Sequence, residues 1–213
     1  MSEPQILPLF SQPLYINKID LTDDMIQSVV DTPCESDNGG YSNGWMSQTQ
    51  WLKSQPVIRA TVEYHLSKYV YDVLQVDETK HQLEHTTSWV NKHNPGDCGA
   101  GHSHHNAQFS GVMYFKVSPN SGDISFYIDP MIPTWCSSTL YPEVKQYNTY
   151  NMRQTRIPPV PGMIICFPSH LGHDVGINHS NEERYSMAFN YILRGEYGLG
   201  YCLLYTSPSP RDS

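Results

Sequence analysis

The clearest periodic stretch begins at Pro56 and runs to about Leu74 with no further glycine or proline. Along it Ile58, Val62, Leu66, Tyr69, Val70 and Val73 recur at spacings of three and four. That rhythm predicts an amphipathic helix that packs one face on a sheet. A shorter helix is expected upstream. Thr22 can cap it, Asp23 and Asp24 suit its first turn, Val30 falls at its end and Pro33 stops it. Residues 7–16 read as an opening edge strand, because Pro13 is tolerated only at a sheet edge or strand end. Residues 37–44 form a turn-rich loop.

From about His81 the pattern shortens to strands and turns. Residues 86–91 are a β-rich run closed by Asn94-Pro95-Gly96. Strands are expected at 111–117, at 123–129 with polar and apolar residues alternating, at 163–167, at 173–177 and at 185–193. Short strands at steady spacing indicate a sandwich or barrel. Residues 130–161 are irregular and rich in Pro, Thr, Tyr and Asn. A stretch that long within a compact domain points to a lid or substrate loop. We expect one domain over residues 1–201, with a helical flank over about 1–80 and a β core over about 81–195. Residues 202–213 read as a translated sequencing-library adapter and are set aside as non-native.

Composition narrows the function. Thirteen Lys+Arg against 21 Asp+Glu give a net charge of −8. With no basic run, binding nucleic acid by phosphate neutralisation is not expected. No apolar stretch approaches the roughly 20 residues of a membrane helix. The acidic, proline-containing start does not read as a signal peptide, so a cytoplasmic location is expected. Cys34, Cys98, Cys136 and Cys166 are scattered without a Cys-x-x-Cys pair, and reduced thiols are the expectation.

The histidines change the picture. His102 and His104 are two apart, so in an extended segment they share a face. His173, on a distant strand, can supply a third imidazole. Three protein ligands on one side of a metal leave open positions, the geometry of non-heme Fe(II) oxygenases. His170 is the alternative third ligand, and His105 alternates away as a neighbour of the site. Arg184 and Ser186 again share a face, and a guanidinium fork suits a carboxylate. The remaining histidines, His93 among them, read as ordinary surface or satisfied residues, and Trp89 reads as a core aromatic.

The ordered set resembles a known family. It comprises Trp89-Val90-Asn91, Gly96, His102-Ser103-His104, Ser110-Gly111-Val112-Met113-Tyr114-Phe115, Ser121-Gly122 and Asp129-Pro130. It continues with Pro161-Gly162, Phe167-Pro168-Ser169, His173, Arg184-Tyr185-Ser186 and Phe189-Asn190. Over roughly residues 85–195 the chain is similar to the Fe(II)/2-oxoglutarate-dependent oxygenases, and within them to a small bacterial and phage group. The resemblance implies a mainly β fold with flanking helices, a double-stranded β-helix (jelly-roll, cupin-like) barrel. It implies Fe(II) held by His102, His104 and His173, with O2 as oxidant. It implies 2-oxoglutarate as co-substrate, gripped by Arg184 and Ser186, with Tyr114 and Asn91 on strands lining the barrel. The implied products are succinate, CO2 and a hydroxylated small-molecule or peptidyl substrate.

One position departs from the wider superfamily, where Asp or Glu stands two residues after the first histidine; here it is His104. Asp174 does not replace it, because adjacent strand residues face opposite ways. Ligand imidazoles must be neutral, so metal binding is expected to fail below roughly pH 6. Two other readings stay open at this point. One is a three-histidine cupin-type dioxygenase that needs no 2-oxoglutarate. The other is a non-enzymatic jelly-roll that binds or builds rather than catalyses. Substrate and oligomeric state have no readable code.

Overall fold

A computed structural model describes residues 4–9, 11–36, 43–129 and 131–197. The adapter-like segment 202–213, most of the 37–44 turn and Pro130 lie outside the described residues.

The strands, in chain order, are β1 (Tyr15–Lys18), β2 (Cys34–Ser36), β3 (Trp45–Ser47), β4 (His81–His93), β5 (Gly99–His102) and β6 (Phe109–Lys116). They continue with β7 (Ile124–Tyr127), β8 (Gln154–Ile157), β9 (Met163–Pro168), β10 (Gly172–Val175) and β11 (Arg184–Gly195). A large antiparallel sheet runs β1-β9-β6-β11-β4-β3-β2, and a smaller one runs β5-β10-β7-β8. β1 lies at the edge of the large sheet, where Pro13 permits it, although it is shorter than the sequence pattern suggests. Strands β1, β2 and β3 extend the same sheet that holds β4 and β11, so the first 80 residues contribute strands as well as helices.

Helix α1 (Asp23–Val30) starts where Thr22 accepts a hydrogen bond from the Met25 N–H at 3.2 Å, and it buries Met25 and Val29 one turn apart. Helix α2 (Pro56–Ser67) has proline in its first turn, where the missing N–H costs nothing. It continues as a π-helical turn over Lys68–Val73, in which the Leu74 N–H donates to the Tyr69 carbonyl five residues back. Ile58, Val62, Leu66, Tyr69 and Val70 are buried, and Tyr69 meets Phe109 edge-to-face with ring centroids 5.9 Å apart. Fully burying such side chains stabilises the fold by about 1.5–3 kcal/mol each.

The two-residue period divides the large sheet. Tyr185, Met187, Phe189 and Tyr191 of β11, with Met113, Phe115, Ile164 and Cys166 of its neighbours, pack in the core under the helices. The alternate residues face the small sheet. There Val112, Tyr114, Ile165 and Phe167 meet Ile124 and Phe126 in a second core. The polar positions Arg184, Ser186 and Asn190 share that inner face, so the site is built between the sheets.

Candidate active site

His102 ends β5 and stands opposite His173 in the antiparallel register with β10. His104 lies two residues on, fixed by its backbone N–H donating to the Ser169 carbonyl at 2.8 Å. The three ring centroids are 4.3 Å (102–173), 5.0 Å (102–104) and 5.2 Å (104–173) apart. One ligand nitrogen from each ring falls within 4.8 Å of the others. The alternatives stay outside: His105 and His170 are exposed, and Asp174 alternates away from the cluster.

The donor set fits a divalent metal. Nδ1 of His102 lies 2.8 Å from the Ala100 carbonyl and Nδ1 of His173 lies 2.9 Å from the Leu171 carbonyl. A carbonyl can only accept, so Nδ1 carries the proton in both rings and Nε2 keeps its lone pair for a ligand. Burial drives the pKa of His104 down to about 4, helped by the neighbouring His173 and His102. Burial does the same to His173, which is lowered to about 4 against the opposing bond to Leu171. Phe126 and Phe167 wall His173 at 6.1 and 4.9 Å between centroids.

A buried polar network backs this centre. The Ser110 hydroxyl donates to Asn190 Oδ1 at 2.6 Å and lies 2.8 Å from the Ser169 hydroxyl, while Asn190 Nδ2 donates to the Thr87 hydroxyl at 3.0 Å. It ties β4, β6 and β11 to the turn after β9, whose Ser169 carbonyl holds His104.

Asn91, Ser186 and Tyr114 form one row across β4, β11 and β6, because Ser186 is the register partner of both others. All three line a cavity of about 320 Å³ that also receives His102, His104 and His173. Burial holds the Tyr114 hydroxyl up at about 12, so it remains protonated and able to donate. Arg184 stands two residues before Ser186, opposite the cavity-lining His93; it is 1% exposed and is not itself among the lining residues. Its Nη1 donates to the carbonyls of Ser121 and Gly122 at 2.8 and 3.0 Å, and its Nε has no partner. Among the described residues no carboxylate lies within ion-pair distance of it. Desolvation therefore pulls its pKa down. Gly122 shapes the turn that Arg184 bonds. Its φ is +92°, and a Cβ there would sit 2.1 Å from the Gly176 carbonyl oxygen.

A family profile described as "Putative 2OG-Fe(II) oxygenase" matches residues 87–190, the span that carries every residue named in this site. Over that span the chain matches the Fe(II)/2-oxoglutarate-dependent oxygenases. That match points to an oxidoreductase with Fe(II), 2-oxoglutarate and O2 as its cofactors. The solved structures it resembles include a prolyl-4-hydroxylase from Pseudomonas putida, with 12% identity, 88% of this chain and 96% of that one covered, and a TM-score of 0.54. The carbocyclase SnoK from nogalamycin biosynthesis superposes at TM-score 0.58, with 11% identity and 93% and 87% of the chains covered. HygX from Streptomyces hygroscopicus, solved with nickel, 2-oxoglutarate and hygromycin B bound, gives TM-score 0.57, 12% identity and 84% and 82% coverage. At these identities the likeness is one of fold, the double-stranded β-helix. No curated protein sequence matches the chain.

Two residues of the site differ from their sequence reading. His93 is not a surface residue. It is 5% exposed, lines the cavity and pairs with Arg184 across β4 and β11. Its place on the Trp89-Asn91-His93 face was the signal that could have found it. Trp89 is not core. It is half-buried on the cavity wall, 5.9 Å from the His104 ring, and donates from Nε1 to Asn91 Oδ1 at 3.0 Å. Cys166 is buried on the opposite face, where desolvation raises its thiol pKa, so it is inert and no ligand.

Proposed function

We propose that His102, His104 and His173 hold Fe(II), and that Arg184, Ser186, Tyr114 and Asn91 hold 2-oxoglutarate, for hydroxylation of a small-molecule or peptidyl substrate. The observation that carries this reading is the pairing, in one inter-sheet site, of three clustered imidazoles with a buried arginine that has no ion-pair partner. A buried unpaired cation is costly, and a dicarboxylate offsets that cost when it binds. Bound iron, 2-oxoglutarate and O2 supply the oxidising chemistry, with succinate and CO2 leaving.

The chain's own residues have separable tasks. The imidazoles bind as neutral donors; Nδ1–H of His102 and His173 is held by a backbone carbonyl, which fixes those two rings, and His104 is held through its backbone N–H. Arg184 orients the distal carboxylate, and the protonated Tyr114 hydroxyl and Ser186 donate to it. Phe126, Phe167 and Val112 keep the His173 side dry. His102 is exposed, so the substrate approaches from that side. The 131–153 segment, which exposes Met131, Trp135, Leu140, Tyr147 and Tyr150, is the substrate loop in this reading. The free thiols of Cys34, Cys136 and Cys166 support a reducing, cytoplasmic setting. No helix of the described residues is long and apolar enough to cross a membrane.

The test is anaerobic titration with Fe(II) and then 2-oxoglutarate, following the visible metal-to-ligand charge-transfer absorption. The band is expected in the native protein and absent in His173→Ala and Arg184→Met. Iron binding without a band overturns the co-substrate assignment and favours three-histidine chemistry.

A further inference from the structure

Six buried side-chain polar atoms lack a hydrogen-bond partner among the described residues, and three of them cluster at one point: Arg184 Nε, His93 Nδ1 and Ser121 Oγ. The other three belong to Gln50, His81 and His85, none of which lines the cavity. His93 and Arg184 are direct register partners on β4 and β11, and the Ser121 carbonyl accepts from Arg184. Buried polar groups are ordinarily matched, and this unmatched cluster lies directly behind the cavity wall that His93 forms, which singles out His93 as the member a ligand can reach.

We propose that His93 is a second anchor for the distal carboxylate of 2-oxoglutarate, its neutral imidazole donating an N–H beside the Arg184 guanidinium. The proposal rests on the assignment of this end of the cavity to the co-substrate.

Three features favour a binding role over a packing one. First, the histidines whose environment is complete have their Nδ1 engaged: His65 with the Tyr15 hydroxyl at 2.7 Å, His102 with Ala100 and His173 with Leu171. His93 Nδ1 is buried and unengaged. Second, the ring is boxed in. A Cβ added to Gly99 would come within 3.8 Å of its Nε2, and its own carbonyl is held by Asn178 Nδ2 at 3.1 Å. A preoriented donor loses little freedom when a ligand arrives. Third, burial and the Arg184 charge keep the ring neutral, with a pKa of about 3. A neutral imidazole always has one N–H to give, and it does not repel the guanidinium next to it.

The discriminating experiment is calorimetric titration of the Ni(II)-loaded protein, without O2, with two probes. One is 2-oxoglutarate. The other is 2-oxobutyrate, which keeps the chelating end and lacks the distal carboxylate. His93→Phe is expected to weaken 2-oxoglutarate binding by about tenfold or more and to leave 2-oxobutyrate unchanged. His93→Leu repeats the test should phenylalanine prevent folding. His93→Asn keeps a donor near the Nδ1 position and His93→Gln one near Nε2. One of the two is expected to restore affinity to within about threefold, which also names the donating nitrogen. Unchanged 2-oxoglutarate affinity, equal loss for both acids, or failure of both amide variants to rescue assigns His93 to packing and overturns the proposal. A native protein that binds both acids equally, with Arg184→Met no different, fails one step earlier. That result removes the carboxylate site itself.

Discussion

His102 and His173 face each other across the β5–β10 pair with ring centroids 4.3 Å apart, and each points Nδ1–H back at a backbone carbonyl two residues away on its own chain. The two rings are thus preset by main-chain geometry before any metal arrives. Removing one imidazole takes away a ligand without disturbing the other's orientation. His173→Ala and His104→Ala are therefore each expected to weaken Ni(II) or Fe(II) binding by at least ~100-fold, since even indirect partners of metal ligands cost 10–100-fold. Equilibrium metal titration of the folded variants checks this. Near-native affinity in either variant would exclude that histidine as a ligand.

The pH limit of metal binding follows from the two buried rings, His104 and His173. The sequence suggested failure below roughly pH 6, the range of a free imidazole. Burial has lowered His104 and His173 to about 4, so at these two ligands protons compete with the metal only at more acid pH. Ni(II) affinity at pH 5.5 is expected to stay within about tenfold of its value at pH 7. A steep fall between pH 7 and 6 would mean the rings are far more solvated than the structure has them.

Much of this site was legible because the β period is two. His102 with His104 and Arg184 with Ser186 are i, i+2 pairs, and each pair does end on one face. The same rule applied to Trp89, Asn91 and His93 would have put all three on the cavity wall, but Trp89 and His93 were read by residue type instead of position. Other elements left weak signals. β5 is Gly99-Ala100-Gly101-His102, with no β-branched or aromatic residue, although its small residues make room for Tyr127 and Val175. β8 is Gln154-Thr155-Arg156-Ile157 inside a stretch that otherwise reads as loop, and it exists because β7 pairs with it. Helix α1 was legible to the residue because its cap is local, Thr22 to Met25. The π-helical end of α2 was not, because 3.6-residue periodicity does not distinguish it.

Acid should destabilise the metal-free protein through His93. Its pKa is about 3 in the fold against the ordinary 6.5, so the unfolded chain binds the proton first. Stability is therefore intact above pH 6.5 and is lost as pH falls from 6.5 towards 3, by up to about 1.4 kcal/mol per pH unit for this one group. His93→Gln cannot titrate. Denaturant unfolding between pH 7 and 4 is expected to show a shallower pH slope in His93→Gln than in the native protein. Parallel slopes would mean that His93 takes up its proton as readily in the fold as in the unfolded chain.

Gly122 is the backbone device that presents two carbonyls to Arg184. In Gly122→Ala the residue must keep φ near +92° and place a methyl 2.1 Å from the Gly176 carbonyl oxygen, so the turn has to move. Such strain costs about 1–3 kcal/mol, which for a chain of this size is a fall in melting temperature of a few degrees. The shift also disturbs the Ser121 and Gly122 carbonyls that bond Nη1.

Arg184 links stability to the co-substrate. In the unliganded protein its charge is buried without an ion pair, so replacing it with the apolar Arg184→Met removes a desolvation cost while leaving two carbonyls unmatched. These effects oppose each other, and the unliganded variant is expected to lie within about 2 kcal/mol of native. The liganded state separates the two proteins. At 2-oxoglutarate a hundredfold above its dissociation constant, the native protein with Ni(II) should gain about 2.7 kcal/mol in unfolding free energy. Arg184→Met should gain close to none at the same concentration. Thermal or denaturant unfolding with and without 2-oxoglutarate reads both numbers. Equal stabilisation of the two proteins would mean the guanidinium is a structural cation bound only to the Ser121 and Gly122 carbonyls, and that the co-substrate is held elsewhere.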